Sequence, residues 1–192
     1  MMKSNELLKM NKSDLSGKII AFPTDTVYGV GALLNDLEGI NKIYELKHRD
    51  NSKPLAILAP SIESILPYIE YPKVEVMELM ERYWPGALTI IFNKNQENKV
   101  LFNTEFNTIA FRIPSSNIAL SILSKFGPMA TTSVNISGSA PLNSYEEINN
   151  YFKDQIDYII SDVESLSGVS STIIDATKYP YVVLRQGDIK IN

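Results

Sequence analysis

Short apolar runs alternate with helical patterns along this chain of 192 residues. The run KIIAF at residues 18–22 ends at Pro23 and predicts a buried strand that enters a turn. Similar runs predict further strands at residues 54–59, 87–92, 108–113 and 128–132, and in the closing third at the segments YIIS, STIID, YVVL and DIKI.

Apolar residues at helical spacing predict helices between these strands. Asp36 is expected to cap a helix that runs to about His48, which places Lys47 and Arg49 at its C-terminal end. Ser144 begins a later helix, because Glu147 follows it at capping-box spacing. Two further helices are predicted at residues 73–83, with core positions Val74, Val76, Met77, Leu79 and Met80, and at residues 117–125.

Helices and strands intermix throughout, without an internal repeat or a low-complexity linker. This order favours a single α/β domain with a mixed sheet over residues 1–192, in which residues 1–14 form a peripheral N-terminal helix or tail. Gly29 and Gly31 are expected where the backbone passes close to a neighbouring strand or to a ligand.

The composition is that of an ordinary globular protein, with 44% hydrophobic and 21% charged residues. The absence of cysteine excludes disulfides, thiolate nucleophiles and thiolate metal sites, and it is compatible with a reducing cytosol. No stretch approaches the roughly 20 apolar residues that span a bilayer, so we expect a cytoplasmic protein without a membrane partner.

Positive charge is concentrated unevenly in this acidic chain, whose formal net charge is −4. Lys47, His48, Arg49 and Lys53 stand together just before a predicted strand. Lysine supplies most of the other cations, and the planar arginine side chain suits carboxylate and phosphate groups. The arginines are therefore candidates for anion binding or for ordinary ion pairs; they are Arg49, Arg82, Arg112 and Arg185.

Hydroxyl and amide side chains stand at the edges of several predicted strands. A set of such groups facing fixed cations suits a ligand with several anionic groups, such as a phosphate ester or an amino-acid carboxylate. The polar residues are Thr24, Asp25, Thr26, Tyr28, Thr108, Thr131, Thr132, Ser133, Asn135, Ser137, Ser170, Ser171 and Thr172.

Each of these segments also has a simpler interpretation. TTSVNISG alone is typical of a turn that satisfies its own backbone, and KHR alone fits a helix C-terminus with cations near the dipole. His48 is expected in a turn or at the surface, and Trp84 in the core. The sequence has neither a G-x-S-x-G elbow nor a G-x-x-x-x-G-K-[ST] loop, which disfavours a nucleophilic triad and a P-loop.

Taken in order, these segments resemble the YrdC-like family, the threonylcarbamoyl-adenylate synthases that act in tRNA modification. The resemblance covers nearly the whole chain, through FPTDTVYGVGA, KHRDNSKPLAIL, YWPGALTII, TIAFRIP, TSVNISG, SSTIID and VLRQGDI. It implies a YrdC/RibB-like single domain, with a twisted mixed β-sheet flanked by helices and a cationic cavity, and we expect the compact, single-domain type.

The resemblance implies a reaction centre at the K-x-R and S-x-N pairs. These pairs correspond to Lys47 with Arg49 and Ser133 with Asn135. The other substrate-binding residues that it implies are Thr24, Tyr28, Thr108, Thr131, Pro141 and Ser171 along the cavity, Lys53 at the triphosphate, Arg112 at the threonine carboxylate and Arg185 at the nucleotide.

The implied enzyme is a nucleotidyltransferase that joins L-threonine, bicarbonate and ATP, with Mg²⁺ accompanying ATP. Its product would reach tRNA indirectly, through a threonylcarbamoyl transferase complex. An RNA-binding module of the same fold, or a weak contact with RNA, is the alternative, although net charge and scarce arginine disfavour it. A paralogue with other carbamoyl chemistry, such as a domain of hydrogenase maturation factors, is disfavoured by the missing zinc-finger and acylphosphatase segments.

The chain departs from the family pattern at three positions. Asp50 and Gln186 stand where the family often has proline, and Ser170 where it often has glutamate or proline. A carboxylate at Asp50 would weaken anion binding at Arg49 unless it points to solvent.

Overall fold

A computed structural model describes residues 1–98, 100–136 and 138–191. The strands are β1 Ile20–Phe22, β2 Gly29–Leu33, β3 Ala56–Leu58, β4 Leu88–Asn93, β5 Thr108–Arg112, β6 Met129–Ser133, β7 Tyr158–Ile159, β8 Thr172–Asp175 and β9 Val182–Arg185. The α-helices are α1 Ser4–Leu7, α2 Leu37–Lys47, α3 Val74–Tyr83, α4 Asn117–Phe126 and α5 Tyr145–Phe152, and short 3₁₀ turns lie at Lys12–Leu15, Leu66–Tyr68 and Leu101–Asn103. Within the described ranges, none of the helices has the length and apolar character to cross a membrane.

The strands form one mixed sheet in the order β7-β1-β2-β6-β3-β5-β4-β8-β9. The pairs β1–β7, β3–β5 and β4–β8 are parallel, and the other neighbours are antiparallel. The predicted α/β domain with a mixed sheet is therefore confirmed. Because β7 and β8 lie far apart in the sheet, residues 160–171, here named the crossing segment, must pass over several strands to join them.

Side chains alternate between the two faces of the sheet, as the pleat requires. In β4, Leu88, Ile90 and Phe92 belong to the core that packs against α3, whereas Thr89 and Ile91 face the other side. Helices α2 and α5 pack on the same covered face as α3. On the other face, α4 and the N-terminal residues cover β1, β2 and part of β6. The rest of that face is open and forms a cavity.

The helix termini follow the predicted capping residues. Asp36 accepts a hydrogen bond from the Gly39 backbone N–H at 3.2 Å, and α2 ends at Lys47, followed by the C-cap His48, whose φ of 49° is left-handed. Ser144 Oγ accepts from the Glu147 backbone N–H at 3.2 Å at the start of α5.

Two details of the prediction are wrong. Val74 is 71% exposed, because the buried face of α3 follows Val76 and Met80 and Val74 lies on another side of the helix. Residues 188–191 form no strand: the Asp188 N–H donates to the Ser170 carbonyl at 3.0 Å, and the Ile189 carbonyl accepts from the side chains of Thr172 and Gln186.

Gly29 and Gly31 make room for a neighbouring strand. A Cβ at Gly31 would lie 2.9 Å from Thr131 Oγ1, and a Cβ at Gly29 would lie 2.9 Å from Thr131 Cγ2. The sequence left open whether the backbone at Gly29 and Gly31 approaches a neighbouring strand or a ligand. Close approach to a neighbouring strand holds for both glycines. Gly29 also borders the cavity, so Thr131 fills space on the cavity side of the sheet.

Candidate active site

A cavity of about 330 Å³ lies on the open face of the sheet, a size within the usual range for small-molecule sites. Strands from both halves of the sheet reach it, together with the β1–β2 turn and the loop after α2. Its lining consists of Thr24, Thr26, Val27, Gly29, Arg49, Pro54, Leu55, Ala56, Leu58, Thr89, Ile91, Ala110, Arg112, Thr131, Thr132, Ser133, Ser170, Ser171, Ile173 and Arg185.

Residues that are far apart in the sequence meet at this cavity. The site residues expected from the sequence that line it are Thr24, Arg49, Arg112, Thr131, Ser133, Ser171 and Arg185. Three of them are arginines, and among the described lining residues there is no aspartate or glutamate. The open face thus gathers positive charge within a chain of net charge −4.

Lys47 and Asn135 lie directly behind Ser133. The buried Lys47 Nζ donates to the Ser133 carbonyl at 2.6 Å, the Asn135 carbonyl at 2.8 Å and Asn135 Oδ1 at 2.6 Å. Ser133 Oγ donates to the same Asn135 Oδ1 at 2.7 Å. The K-x-R lysine and the S-x-N pair therefore form one hydrogen-bonded group, in which Ser133 faces the cavity.

The charge of Lys47 is sensitive to its surroundings. Burial, and to a smaller degree the charge of Arg49, lower the pKa of Lys47 from 10.5 to about 8. Its three oxygen acceptors match the three N–H donors of an ammonium, whereas a neutral amine has only two. The charged form is therefore the form that satisfies this site at neutral pH.

Arg49 stands at the rim of the cavity, held by the loop that follows α2. Its Nε donates to the Lys53 carbonyl at 3.0 Å and its Nη2 to the Pro54 carbonyl at 3.2 Å. The exposed Asp50 carboxylate accepts instead from the Ser52 backbone N–H at 2.8 Å, which lowers the pKa of Asp50. Asp50 therefore stabilises the turn, and no ion pair with Arg49 occurs among the described residues.

Arg112 is buried at the cavity wall, with a protein carboxylate beside it. Its Nη2 contacts Asp25 Oδ1 at 2.6 Å, its Nη1 donates to Thr26 Oγ1 at 2.7 Å, and its Nε donates to the Gly86 carbonyl at 2.9 Å. Burial lowers the pKa of Arg112, and the Asp25 carboxylate opposes that shift. Arginine nevertheless stays protonated in proteins, so the side chain is a fixed cation.

Arg185 reaches the cavity from β9. Its Nε and Nη2 donate to the Ser171 carbonyl at 3.1 and 2.9 Å, and Ser171 Oγ lies 2.8 Å from Thr89 Oγ1. Partial burial, together with the nearby charge of Arg112, lowers the pKa of Arg185. Two cations that destabilise each other would both gain from an anion bound between them.

Thr24 shapes the turn that forms one end of the cavity. Its Oγ1 donates to the Val27 carbonyl at 2.7 Å and accepts from the Thr26 backbone N–H at 3.2 Å. The crossing segment holds the same turn, because the Ser167 N–H donates to the Asp25 carbonyl at 3.0 Å. Ser170 and Ser171, which follow in that segment, line the cavity directly.

Six of the expected site residues do not line the cavity: Lys47 and Asn135 lie behind Ser133, and four others lie elsewhere. Tyr28 is buried and its hydroxyl donates to the Ile160 carbonyl at 3.2 Å, and burial raises its pKa to about 12. Lys53 is exposed. Thr108 opposes Asn93 at the far end of β5 from Arg112. Pro141 is half-buried in the loop before α5. Ser137 lies outside the described residues.

Other lining residues had no role assigned from the sequence. Thr26, Thr132 and Ser170 belong to the polar segments singled out above, as does Asp25, which contacts Arg112 from outside the lining. Thr89 lies outside those polar segments, and only its position in the sequence could have indicated it. It is a threonine inside an apolar strand, where alternation places it on the sheet face away from the core. Trp84 packs in the core and donates its Nε1–H to the Leu88 carbonyl at 2.6 Å.

The arrangement suits the binding of an extended anion. Guanidinium groups lie at the rim and at the wall, and hydroxyl groups lie between them. Throughout the described ranges there is no cluster of three or more histidine, cysteine, aspartate or glutamate side chains that could hold a metal ion. His48 is exposed on α2's C-terminal turn, so a histidine-activated nucleophile at the cavity is unsupported.

Comparison with known proteins agrees with this description. The Sua5/YciO/YrdC family model, described as "Telomere recombination", matches residues 15–187. A threonylcarbamoyl-AMP synthase of Pyrococcus abyssi is 36% identical over 176 residues, which cover 91% of this chain and 52% of that protein. One of Vibrio campbellii is 32% identical over 175 residues, which cover 90% of this chain and 94% of that protein.

Solved structures resemble the fold over nearly its full length. The crystal structure of P. abyssi Sua5 complexed with L-threonine has a TM-score of 0.87 and 33% identity, and the match covers 97% of this chain and 55% of that one. The chain therefore spans about half the length of the P. abyssi protein.

Proposed function

Because the chain belongs to the Sua5/YciO/YrdC family, we propose that it is an L-threonylcarbamoyladenylate synthase, a nucleotidyltransferase that forms threonylcarbamoyl-AMP and pyrophosphate from L-threonine, bicarbonate and ATP. The observation that supports this most directly is the meeting of Arg49, Arg112 and Arg185 with Ser133 at one cavity of an otherwise acidic chain. The names of the relatives support threonylcarbamoyl-AMP as the product, and the threonine complex of P. abyssi Sua5 supports L-threonine as a substrate.

The proposed reaction brings several anions together. The threonine amine adds to the carbon of bicarbonate, a C–N bond forms, and a C–O bond breaks so that water leaves. A carbamate oxygen then attacks the α-phosphorus of ATP, and the bond from that phosphorus to the pyrophosphate oxygen breaks. Catalysis at phosphorus relies chiefly on positioning and on electrostatic stabilisation, so no covalent enzyme intermediate is needed.

The site residues are assigned within this proposal. Lys47 orients Ser133 and Asn135 through the hydrogen bonds described above, and Ser133 presents its hydroxyl to the α-phosphate or the carbamoyl group. Arg49 at the rim and Arg185 at the far wall bind phosphate oxygens, and Arg112 receives the threonine carboxylate.

The remaining expected ligand contacts have different geometric support. Thr24, Thr131 and Ser171 line the cavity. Roles for Tyr28, Lys53, Thr108 and Pro141 would need a rearrangement of their surroundings or a larger ligand that extends beyond the lining.

We propose that Mg²⁺ enters with ATP as part of the substrate. Mg²⁺ in nucleotide sites is held largely by phosphate oxygens and waters, and needs few protein carboxylates. That mode of binding is compatible with a cavity whose described lining is cationic and hydroxylic.

The product is a labile mixed anhydride, so a further enzyme must consume it. We propose that a threonylcarbamoyl transferase complex passes the group to position 37 of tRNA in the cytoplasm, and that this chain meets tRNA only indirectly. The arginines gather around one small cavity, whereas nucleic-acid binding without catalysis depends on many phosphate contacts over a surface. The RNA-binding alternative is disfavoured for that reason.

Pyrophosphate release tests the proposal. The protein is incubated with Mg²⁺, ATP and bicarbonate, with and without L-threonine, and we expect release that depends on both bicarbonate and threonine. Arg49→Ala should lower turnover, whereas Arg82→Ala, which changes an exposed arginine of α3 that lies over the Tyr83 ring, should not. Release that ignores threonine would rule out the substrate assignment. Steeply salt-dependent RNA binding without turnover would support the alternative.

A further inference from the structure

Asp25 is a partly buried carboxylate beside the cavity that the proposed reaction does not use. Its Oδ1 accepts from Arg112 Nη2 at 2.6 Å and from the Ser115 backbone N–H at 3.1 Å. The side chains of Asp25 and Arg112 are 17% and 7% exposed. Arg112 lines the cavity and Asp25 does not, so the carboxylate contacts the guanidinium from outside the cavity lining.

Three different acceptors fix the plane of the Arg112 guanidinium. Nε, Nη1 and Nη2 donate to Gly86, Thr26 and Asp25 respectively. A guanidinium has five N–H donors, so two remain for a ligand, and their direction is set by the other three. Asp25 provides the one charged acceptor of the set, and charge-assisted hydrogen bonds are about twice as strong as neutral ones.

The position of Asp25 is itself fixed by several elements. The crossing segment donates the Ser167 N–H to the Asp25 carbonyl at 3.0 Å and the Gly168 N–H to the Thr26 carbonyl at 2.8 Å. The Ser115 N–H, just before α4, holds the carboxylate. The orientation of Arg112 thus depends on a turn that is held from two sides.

We propose that Asp25 is a positioning residue, which directs the two unused N–H donors of Arg112 at the substrate carboxylate. This inference rests on the proposed function. Two effects of the carboxylate have opposite signs: its negative charge weakens anion binding in the cavity, whereas its hydrogen bond orients the cation that binds the anion. We infer that the orientation of Arg112 outweighs the unfavourable charge of Asp25, since bidentate binding of a planar carboxylate depends on geometry.

Two substitutions separate these effects. Asp25→Asn removes the charge and keeps an oxygen acceptor, and Asp25→Glu keeps the charge and moves it by one methylene. If orientation dominates, both raise KM for L-threonine, by about tenfold for Asp25→Asn, which corresponds to about 1.4 kcal/mol, and both change kcat less than KM. A KM that is unchanged or lower in Asp25→Asn, or unchanged in Asp25→Glu, would overturn the inference.

Asp157→Asn is a matched control. Asp157 also pairs with a cation, Lys18, at 3.0 Å and also accepts a backbone N–H, that of Ile19 at 3.0 Å, but it lies beside β1 and β7 and does not line the cavity. We expect its KM for L-threonine to match that of the wild type. If Asp157→Asn raised KM for L-threonine as much as Asp25→Asn does, both increases would follow from the loss of any ion pair, and the inference would be contradicted.

A double-mutant cycle tests whether Asp25 acts through Arg112. Arg112→Lys removes the planar guanidinium that Asp25 is proposed to orient. In that background, Asp25→Asn should therefore have little further effect on KM for L-threonine. Additive effects would contradict the inference.

A substrate-free measurement keeps this test separate from the proposed function. In ¹H–¹⁵N spectra of the wild type, the Arg112 Nε–H should exchange slowly with solvent. Its exchange rate should be higher in Asp25→Asn and the same as in the wild type in Asp157→Asn. The Arg49 Nε–H, which donates to Lys53, is an internal reference. If the wild type makes no threonine-dependent pyrophosphate but the exchange pattern holds, the proposed function fails and the orientation of Arg112 by Asp25 stands. An unchanged exchange rate in Asp25→Asn would refute it.

Discussion

The pKa of Lys47, about 8, makes the reaction centre sensitive to mild alkaline pH. As the ammonium loses its proton, one of its three oxygen acceptors loses its hydrogen bond, and the Ser133–Asn135 turn loses its cation. We predict that kcat/KM of the wild type, divided by that of Lys47→Arg, falls as pH rises through about 8. The ratio is used because the threonine amine titrates equally for both proteins, and arginine stays charged.

The accompanying change in stability has the opposite sign. The pKa of Lys47 is lowered in the folded state, so between about 8 and the ordinary value of 10.5 the unfolded chain binds more protons. The contribution of Lys47 to the free energy of unfolding therefore rises with pH in that window. From about pH 6.5 to about pH 9.5, kcat/KM reports the effect on activity and urea denaturation reports the effect on the free energy of unfolding. A wild-type rate ratio that stays constant to the upper end would contradict the prediction.

Gly31 provides a second residue-scale prediction. Its missing side chain leaves space for Thr131 Oγ1, so Gly31→Ala should force the threonine to shift and should cost about 1–3 kcal/mol of unfolding free energy. Gly31→Ala combined with Thr131→Ala should cost less than the sum of the single changes, because the crowded atom is removed. Urea denaturation of the four proteins measures the coupling, and strict additivity would show that the crowding is relieved elsewhere.

At this scale, the sequence indicated site residues better than their partners. Arg112 was expected at the threonine carboxylate from its motif, and the structure places it at the cavity. Its contact with Asp25 joins residues 87 positions apart and could not be read from local spacing. Likewise, the K-x-R and S-x-N motifs did not reveal that Lys47 bonds to the backbone of the other pair.

Secondary-structure elements were predicted best where local chemistry decides their ends. Asp36 and Ser144 cap the expected helices, and the main strands lie within a residue or two of their predicted bounds. Residues 188–191 differ because the Ile189 carbonyl, which a strand would need, is bound by the side chain of Thr172 from β8 and by that of the nearby Gln186. Such tertiary competition leaves no periodic signal in the segment itself.

The α5 cap allows stability to be changed without touching the cavity. Ser144 Oγ accepts the Glu147 N–H at 3.2 Å, and α5 packs on the covered face of the sheet. Ser144→Ala should lower the free energy of unfolding by about 1 kcal/mol and leave pyrophosphate release unchanged. Ser121→Ala is the matched control, since this exposed serine lies inside α4 and its hydroxyl donates to the Asn117 carbonyl of the preceding turn at 2.8 Å. Equal losses for the two variants, measured by urea denaturation, would argue against a capping contribution.

The cavity is a property of the whole molecule, because it lies where the described helices leave one face of the sheet uncovered. One face packs against α2, α3 and α5, whereas α4 covers only part of the other. The order of the strands brings β6, β3, β5, β4 and β8 side by side, so motifs from distant parts of the sequence share one surface. The sequence predicted a mixed sheet but not this order, because strand order depends on crossovers that leave no local pattern.

Ligand binding to this open face should stabilise the entire fold. A ligand at about 100 times its Kd adds about 2.7 kcal/mol, and for a chain of this size each kcal/mol raises Tm by about 2–4 °C. We therefore expect saturating MgATP with L-threonine to raise Tm by about 5–10 °C. Arg185→Ala should reduce the shift, because Arg185 lines the cavity, whereas Arg82→Ala, which changes an exposed residue of α3, should not. A short RNA that raises Tm as much as MgATP, with a shift that disappears at high salt, would instead place the main ligand contacts on the outer surface, since phosphate contacts of that kind weaken steeply with salt.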